Sequence, residues 1–248
     1  LAASHEDGVW WLGHASVLLQ LDGNIILTDP VFSRRASPLP FLGPQRKTPP
    51  VLSVEQLHQL DAVVISHNHY DHLDDATIRR ILKRFPDVCC FVPLGLADWF
   101  RRRGAKRVVE LDWWQSFTWQ GMTLTAVPAQ HWSMRTPWNR NRSLWCGWVM
   151  EGRHHRFWFS GDTGYSPELL LIPERLGQID AAALPIGAYA PRWFMAVHHM
   201  DPQSAVALWQ QLGSPLAFPI HWGVFELADE ALDEPVQELT DALDNLAP

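Results

Sequence analysis

The sequence predicts a single α/β (α+β) domain over residues 1–248, built of sheets covered by helices on their outer faces. Three observations predict it: short β-type runs open the chain, later β runs alternate with amphipathic helices, and no linker, repeat or low-complexity tract marks a boundary. Val9 to Leu12, Val17 to Leu21 and Ile25 to Thr28 are β-type runs, and Asp22-Gly23-Asn24 between the last two suits a hairpin. Residues 33–50 are proline-rich and aperiodic, so a long ordered loop is expected there, of the kind that borders binding sites. Ala62 to Ser66 reads as a compact buried strand. Asp74 or Asp75 then caps a helix whose Ile78, Ile81, Leu82 and Phe85 share a face, and Pro86 stops it. Strands at 88–92, 107–111, 122–127, 144–151 and 156–159 follow, with helices near 95–103 and 167–176. A strand at 180–185, a helix from Asp201 and Pro202 to Leu212 closed by Gly213, a strand at 215–220 and a helix near 229–245 complete the order.

Hydrophobic residues make up 47% and charged residues 19%, enough apolar surface for a sizeable core and too much for a disordered chain. Twenty Lys and Arg against 27 Asp and Glu give a formal charge of −7, which excludes a nucleic-acid binder working through a broad basic face. Cys89, Cys90 and Cys146 are odd in number and lack metal-knuckle spacing, so reduced core thiols are expected. No apolar run approaches the roughly 18 to 20 residues of a membrane span. The chain starts at Leu1 with no apolar leader, and the expected location is the cytoplasm or the periphery of a membrane.

Chemistry concentrates where His and Trp crowd together. His67-Asn68-His69-Tyr70-Asp71-His72 follows the strand Val63-Val64-Ile65-Ser66 and sets four metal donors in six positions. In extended backbone His67 and His69 point the same way and can grip one cation, while a turn swings Asp71 and His72 toward a second. Such a cluster cannot complete two coordination shells alone. His131, Asp162 and His221 each follow an apolar strand, at ends where loops converge.

The set His67, His69, Asp71, His72, His131, Asp162 and His221 is similar to the ligand set of the metallo-β-lactamase superfamily, which implies a four-layer αββα metallo-β-lactamase sandwich. Within it, Ile65-Ser66-His67-Asn68-His69-Tyr70-Asp71-His72-Leu73-Asp74, Pro128-Ala129-Gln130-His131-Trp132, Gly161-Asp162-Thr163-Gly164-Tyr165, Pro185-Ile186-Gly187-Ala188-Tyr189, Pro191-Arg192-Trp193-Phe194-Met195 and Ile220-His221-Trp222-Gly223 resemble the N-acyl-phosphatidylethanolamine-hydrolysing phospholipase D family. The resemblance runs from Trp11-Leu12-Gly13-His14-Ala15-Ser16 to Asp233-Glu234-Pro235.

That resemblance implies two zinc ions per chain, one on His67, His69 and His131, the other on Asp71, His72 and His221, with Asp162 bridging them; imidazole and carboxylate donors also accept iron or manganese. Asp29 matches an acid near the metals, and two readings of it stand side by side: it orients a ligand imidazole, or it is a turn residue before Pro30. His199 is expected to contact substrate phosphate, whereas His198 departs from the family pattern. The implied reaction is hydrolysis of a phospholipid phosphodiester by a hydroxide held between the ions, with Asp71 or His199 as proton donor to the departing alcohol. Arg192 is expected to meet phosphate or to form a surface salt bridge; Trp132, Trp138, Trp193, Phe194, Met195 and Trp222 flank the ligands and are expected to line an acyl groove, with Trp145 and Trp148 assigned to the core. Two rival readings stand beside it: hydrolysis of a small soluble ester such as a sugar-phosphate lactone, and a non-catalytic metal-binding sensor. Basic clusters at Arg101-Arg102-Arg103 with Lys106 and Arg107, and at Arg135 with Arg140 and Arg142, leave peripheral membrane contact open, and a homodimer is open as well.

Overall fold

Trp148 and Met150 join one apolar cluster while Val149 between them joins another, and all three are buried. Phe157 and Phe159 alternate with Trp158 in the same way, as Ala62 and Val64 do with Val63. A strand with two buried faces requires cover on both, and the chain supplies it as four layers.

The structure, a computed structural model, describes residues 6–246. One sheet runs in chain order through β1 (Gly8–Gly13), β2 (Ser16–Leu21), β3 (Asn24–Thr28), β4 (Ala62–Val64), β5 (Cys89–Pro93) and β6 (Arg107–Leu111). Its first two pairings are antiparallel and the rest parallel. The second sheet holds β7 (Ser116–Trp119), β8 (Met122–Val127), β9 (Gly147–Glu151), β10 (Arg156–Phe159), β11 (Ala181–Pro185) and β12 (Leu216–Ile220), antiparallel from β7 to β10 and parallel onward. Helices α1 (Asp75–Arg84) and α2 (Ala97–Arg101) seal the outer face of the first sheet through Ile78, Ile81, Leu82 and Phe100. Helices α3 (Leu171–Leu176) and α5 (Pro202–Gln211) cover the second through Ile172 and Leu208, with the short α4 (Arg192–Met195) between them in sequence and α6 (Glu234–Asp244) packed on α5. Each fully buried Leu, Ile or Phe contributes about 1.5 to 3 kcal/mol here.

Packing between the sheets also sets the height of the β4 end. The indole of buried Trp148 donates to the Ile65 carbonyl at 2.8 Å, and the Cys146 amide donates to that of Ser66 at 2.9 Å. Beyond β4, Asp74 caps α1 on the Ala76 amide and also accepts from Ser33 Oγ and the amides of Phe32 and Ser33, tying the loop after β3 to the helix. The three cysteines are free and buried.

Several boundaries differ from the sequence expectation. The strand read to Ser66 stops at Val64, the one read from 144 starts at Gly147, and the segment at 167–176 divides into a 3₁₀ turn and α3. The last helix starts at Glu234, where Pro235 fits its first turn. Three elements were absent from the expectation: a 3₁₀ turn at Val54–Gln56, β7, an edge strand whose Ser116, Phe117 and Thr118 are exposed, and α4, a four-residue helix in what reads as loop after Pro191.

Candidate metal centre

Each expected ligand follows the C-terminal end of a strand, His67 to His72 after β4, His131 after β8, Asp162 after β10 and His221 after β12, and the accompanying acid Asp29 does so after β3. The backbone at this edge is unusual. His14, Asp29, Ala188 and His221 have φ of 55°, 33°, 61° and 63°, a left-handed conformation that L residues seldom hold without surrounding constraint. The strand ends also crowd one another: a Cβ at Gly187 would lie 2.2 Å from the His221 carbonyl oxygen.

The loop from Ser66 to Leu73 is stapled from outside. The Arg135 guanidinium donates to the carbonyls of Asn68 at 2.9 Å and Leu73 at 2.6 Å and covers the Tyr70 ring at 4.1 Å, while Tyr70 Oη donates to the Arg135 carbonyl. Arg135 is therefore engaged inside the protein and is not the free headgroup contact its sequence neighbours suggest. Arg103 is likewise occupied, with Asp75 and the Trp99 ring.

Within that frame the donors converge. Asp162 Oδ2 lies 3.0 Å from His72 Nε2, 3.1 Å from His221 Nε2, 3.8 Å from His131 Nε2 and 3.9 Å from His67 Nε2. His69 Nδ1 is 2.8 Å from His67 Nε2 and 3.2 Å from His131 Nε2. Asp71 Oδ2 is 3.3 Å from Nε2 of both His72 and His221. The outer nitrogens are held away from this centre: His67 Nδ1 by Ser66 Oγ at 2.9 Å, His72 Nδ1 by Asp29 Oδ2 at 2.6 Å, His131 Nδ1 by the His198 carbonyl at 3.0 Å and His221 Nδ1 by the Gly187 carbonyl at 3.4 Å. Hydrogen on Nδ1 leaves the Nε2 lone pairs facing inward, the tautomer a metal ligand requires.

Electrostatics agree with a cation here. Burial holds His67 and His131 well below the usual histidine range and brings His69 to about 4. Burial also opposes charge on His72 and His221, yet Asp162 and Asp71 push His72 well above that range and His221 to about 9. The same imidazoles hold both carboxylates well below theirs despite burial. Asp162 Oδ1 and His69 Nε2 are buried with no hydrogen-bond partner. One buried and one partly buried carboxylate, Asp162 and Asp71, among imidazole nitrogens, some unpartnered, fit divalent cations of the zinc, iron or manganese type.

The centre opens onto a cleft of about 440 Å³ walled by His69, Tyr70, Asp71, Trp132, Met134, Arg135, Pro137, Asp162, Met195, His199, His221 and Leu227, among others. His199 is in place there, its ring 5.0 Å from His131 and 5.3 Å from His221, and its buried Nδ1 has no partner. Of the expected groove residues, Trp132 and Met195 are among these walls, whereas Arg192, Trp193, Phe194 and Trp222 are not. Arg192 pairs with Asp201 at 2.8 Å and donates to the His199 carbonyl, so it braces α4. Trp193 and Phe194 are 84% and 63% exposed, and Trp222 stacks on Trp11 with centroids 4.9 Å apart. From their segment only Met195 reaches the cleft. Asp29 does not reach it either; fully buried, it acts on His72 and accepts from the Ser66 amide and hydroxyl. Sequence reading missed Ser66, Arg135, Gly187 and His14, whose Nε2 lies 3.0 Å from Asp71 Oδ2.

Fold and centre together define a hydrolase of the metallo-β-lactamase type. Residues 24–222 match the Beta-lactamase superfamily domain. The chain is 43% identical to N-acyl-phosphatidylethanolamine-hydrolyzing phospholipase D 1 of Caenorhabditis elegans, over 97% of this chain and 72% of that protein. It is 33% identical to the mitochondrial N-acyl-phosphatidylethanolamine-hydrolyzing phospholipase D of Saccharomyces cerevisiae, over 92% of this chain and 50% of that protein. Among solved structures, the metallo hydrolase Igni18 of Ignicoccus hospitalis superposes with a TM-score of 0.71 at 22% identity, covering 95% of this chain and 91% of that one, a likeness of fold alone. The chain belongs to the beta-lactamase superfamily, and within it to the family of the N-acyl-phosphatidylethanolamine-hydrolyzing phospholipases D, as a metal-dependent hydrolase. It spans half of the yeast relative's length and under three quarters of the worm relative's.

Proposed function

We propose that this protein hydrolyses the phosphodiester of an N-acylated phosphatidylethanolamine or a related phospholipid. Two ions, zinc by preference, would be held by His67, His69 and His131 and by Asp71, His72 and His221, with Asp162 between them. The observation that carries this reading is the adjacency of the donor centre to walls formed by Trp132, Met134, Pro137, Met195 and Leu227, so that a phosphate at the centre leaves acyl chains against apolar side chains. The names of the worm and yeast relatives support the same substrate class.

The chemistry such an ion pair supplies is Lewis acidity toward phosphoryl oxygens and activation of water. The protein's own groups divide the remaining work. Asp71 does not suit the part of proton donor suggested by the sequence, because nitrogens of His14, His72 and His221 within 3.3 Å of Oδ2 keep it a carboxylate. His199 fits a neutral role: burial lowers it to about 3, and it lines the cleft, where an imidazole N–H would donate to an oxygen of the phosphate or the departing alcohol.

Peripheral membrane contact belongs to the same proposal. The three segments that contribute Ala36 and Pro44, Trp132 to Pro137, and Met195 to the cleft also expose Phe41 and Leu42, Trp138, and Trp193 and Phe194. Arg34, Arg140 and Arg142 are exposed in segments 33–47 and 132–145, which contain no Asp or Glu, in a chain of net charge −7. Apolar side chains among basic ones suit an anionic lipid surface.

The test is turnover of N-acyl-phosphatidylethanolamine vesicles beside a lactone panel by zinc-loaded protein, with Asp162→Asn as control. Release of phosphatidic acid that chelation abolishes, with far-UV circular dichroism retained, is expected. Turnover of lactones alone would favour the soluble-ester reading, and metal uptake without turnover a sensor.

A further inference from the structure

His14 lies inside the centre without belonging to either proposed ligand set. It occupies the turn between β1 and β2, where its carbonyl accepts from the Trp11 indole at 2.8 Å and from the His221 amide at 3.0 Å. Pinned from both sides, its side chain is 1% exposed, edge-on to Phe225 at 5.2 Å and 4.3 Å from the His221 ring.

The pattern of its two nitrogens is reversed relative to its neighbours. His67, His72, His131 and His221 have Nδ1 against an outer oxygen and Nε2 facing the centre. His14 Nδ1 is buried with no hydrogen-bond partner, and Nε2 makes the contact with Asp71 Oδ2 at 3.0 Å. A neutral imidazole in that setting carries its hydrogen on Nε2, where an anionic acceptor waits. It then has no Nε2 lone pair for a cation but an N–H for the carboxylate.

We propose that His14 is a positioning residue: it donates Nε2–H to Asp71, fixes that carboxylate beside His72 and His221, and so governs ion affinity at that half of the centre alone. This rests on the two-ion reading above. An outer partner of a metal-ligating group typically affects affinity about 10- to 100-fold, and the His67, His69 and His131 half has no contact with His14 through Asp71.

Two measurements test it. Long-range proton–nitrogen spectra of zinc-loaded protein should place hydrogen on Nε2 of His14 and on Nδ1 of His72 and His221; hydrogen on Nδ1 of His14 would make it a ligand and overturn the assignment. Zinc titration of the intact chain, followed by ion counting, should find two ions in wild type. In His14→Ala one ion should bind with wild-type affinity and the other about 10- to 100-fold more weakly, and His14→Gln, whose amide can donate, should recover most of the difference. Equal loss at both halves, no loss at either, or a Gln variant as weak as Ala would each overturn it. Fewer than two ions in wild type would instead overturn the two-ion reading itself. Should the Ala variant fail to fold, the Gln variant and the tautomer spectra still decide.

Discussion

Asp29 Oδ2 lies 2.6 Å from His72 Nδ1, and neither side chain is exposed. With the Ser66 amide and hydroxyl filling other acceptor positions of Asp29, the carboxylate fixes both the ring plane and the tautomer of His72. Asp29→Asn would turn an amide toward Nδ1 and favour the wrong tautomer. Metal affinity at the His72 half is expected to fall about 10- to 100-fold, with turnover falling in parallel and far-UV circular dichroism unchanged. Metal titration of the variant checks this, and unaltered affinity would leave Asp29 as a turn residue before Pro30.

Period-two alternation made most strands legible before the structure, because residues such as Trp148 and Val149 serve different layers of one core. The density of donors after β4 likewise made the centre legible. What stayed hidden depends on partners distant in sequence. His14 is a lone histidine among apolar residues until Asp71, 57 positions away, reaches it. Arg135 looks solvent-bound until Tyr70 and Leu73 close over it. The direction of Trp193 and Phe194 is set by the Arg192–Asp201 pair that anchors α4, and nothing local to the tripeptide determines it.

The carboxylates give metal uptake a definite pH dependence. Burial opposes protonation of His221, but Asp162 and Asp71 raise it from 6.5 to about 9, and His72 is raised as well. Near pH 7.5 both rings carry protons that an entering cation must expel. Metal binding should therefore release protons, and apparent affinity should rise with pH up to about 9. In metal-free protein the stabilising contribution of His221 should be full below pH 6.5 and be lost as pH rises through about 9. Calorimetric titration in buffers of different ionisation enthalpy reads the proton count; proton uptake would contradict the assignment.

Arg135 bonds the carbonyls on either side of the His69 to His72 turn, so its removal should loosen both halves of the centre together. Each charge-assisted hydrogen bond is worth about 1.5 to 3 kcal/mol, and the Tyr70 contact adds about 0.5 to 2 kcal/mol. Arg135→Ala is expected to cost roughly 3 kcal/mol in a denaturant titration and to weaken both ions. Arg135→Lys keeps one nitrogen that can donate to both carbonyls but loses the planar guanidinium that lies over the Tyr70 ring, so it should recover only part of it. A loss confined to one ion would refute the staple.

Trp193 and Phe194 stand exposed on the segment that sends Met195 into the cleft, so their contribution should depend on the physical state of the substrate. If they enter an anionic bilayer, Trp193→Ala with Phe194→Ala removes apolar contact worth roughly 1.5 to 3 kcal/mol per side chain, and partitioning to phosphatidylserine-containing vesicles should fall at least about tenfold. The apparent KM for vesicle substrate should rise accordingly. A short-chain, monomeric substrate needs no surface, so its kcat and KM should be unchanged. Raising the salt concentration should weaken vesicle binding of wild type and variant alike, because the exposed Arg34, Arg140 and Arg142 remain. An equal loss on monomeric substrate would instead place these aromatic rings in the substrate groove that the sequence suggested.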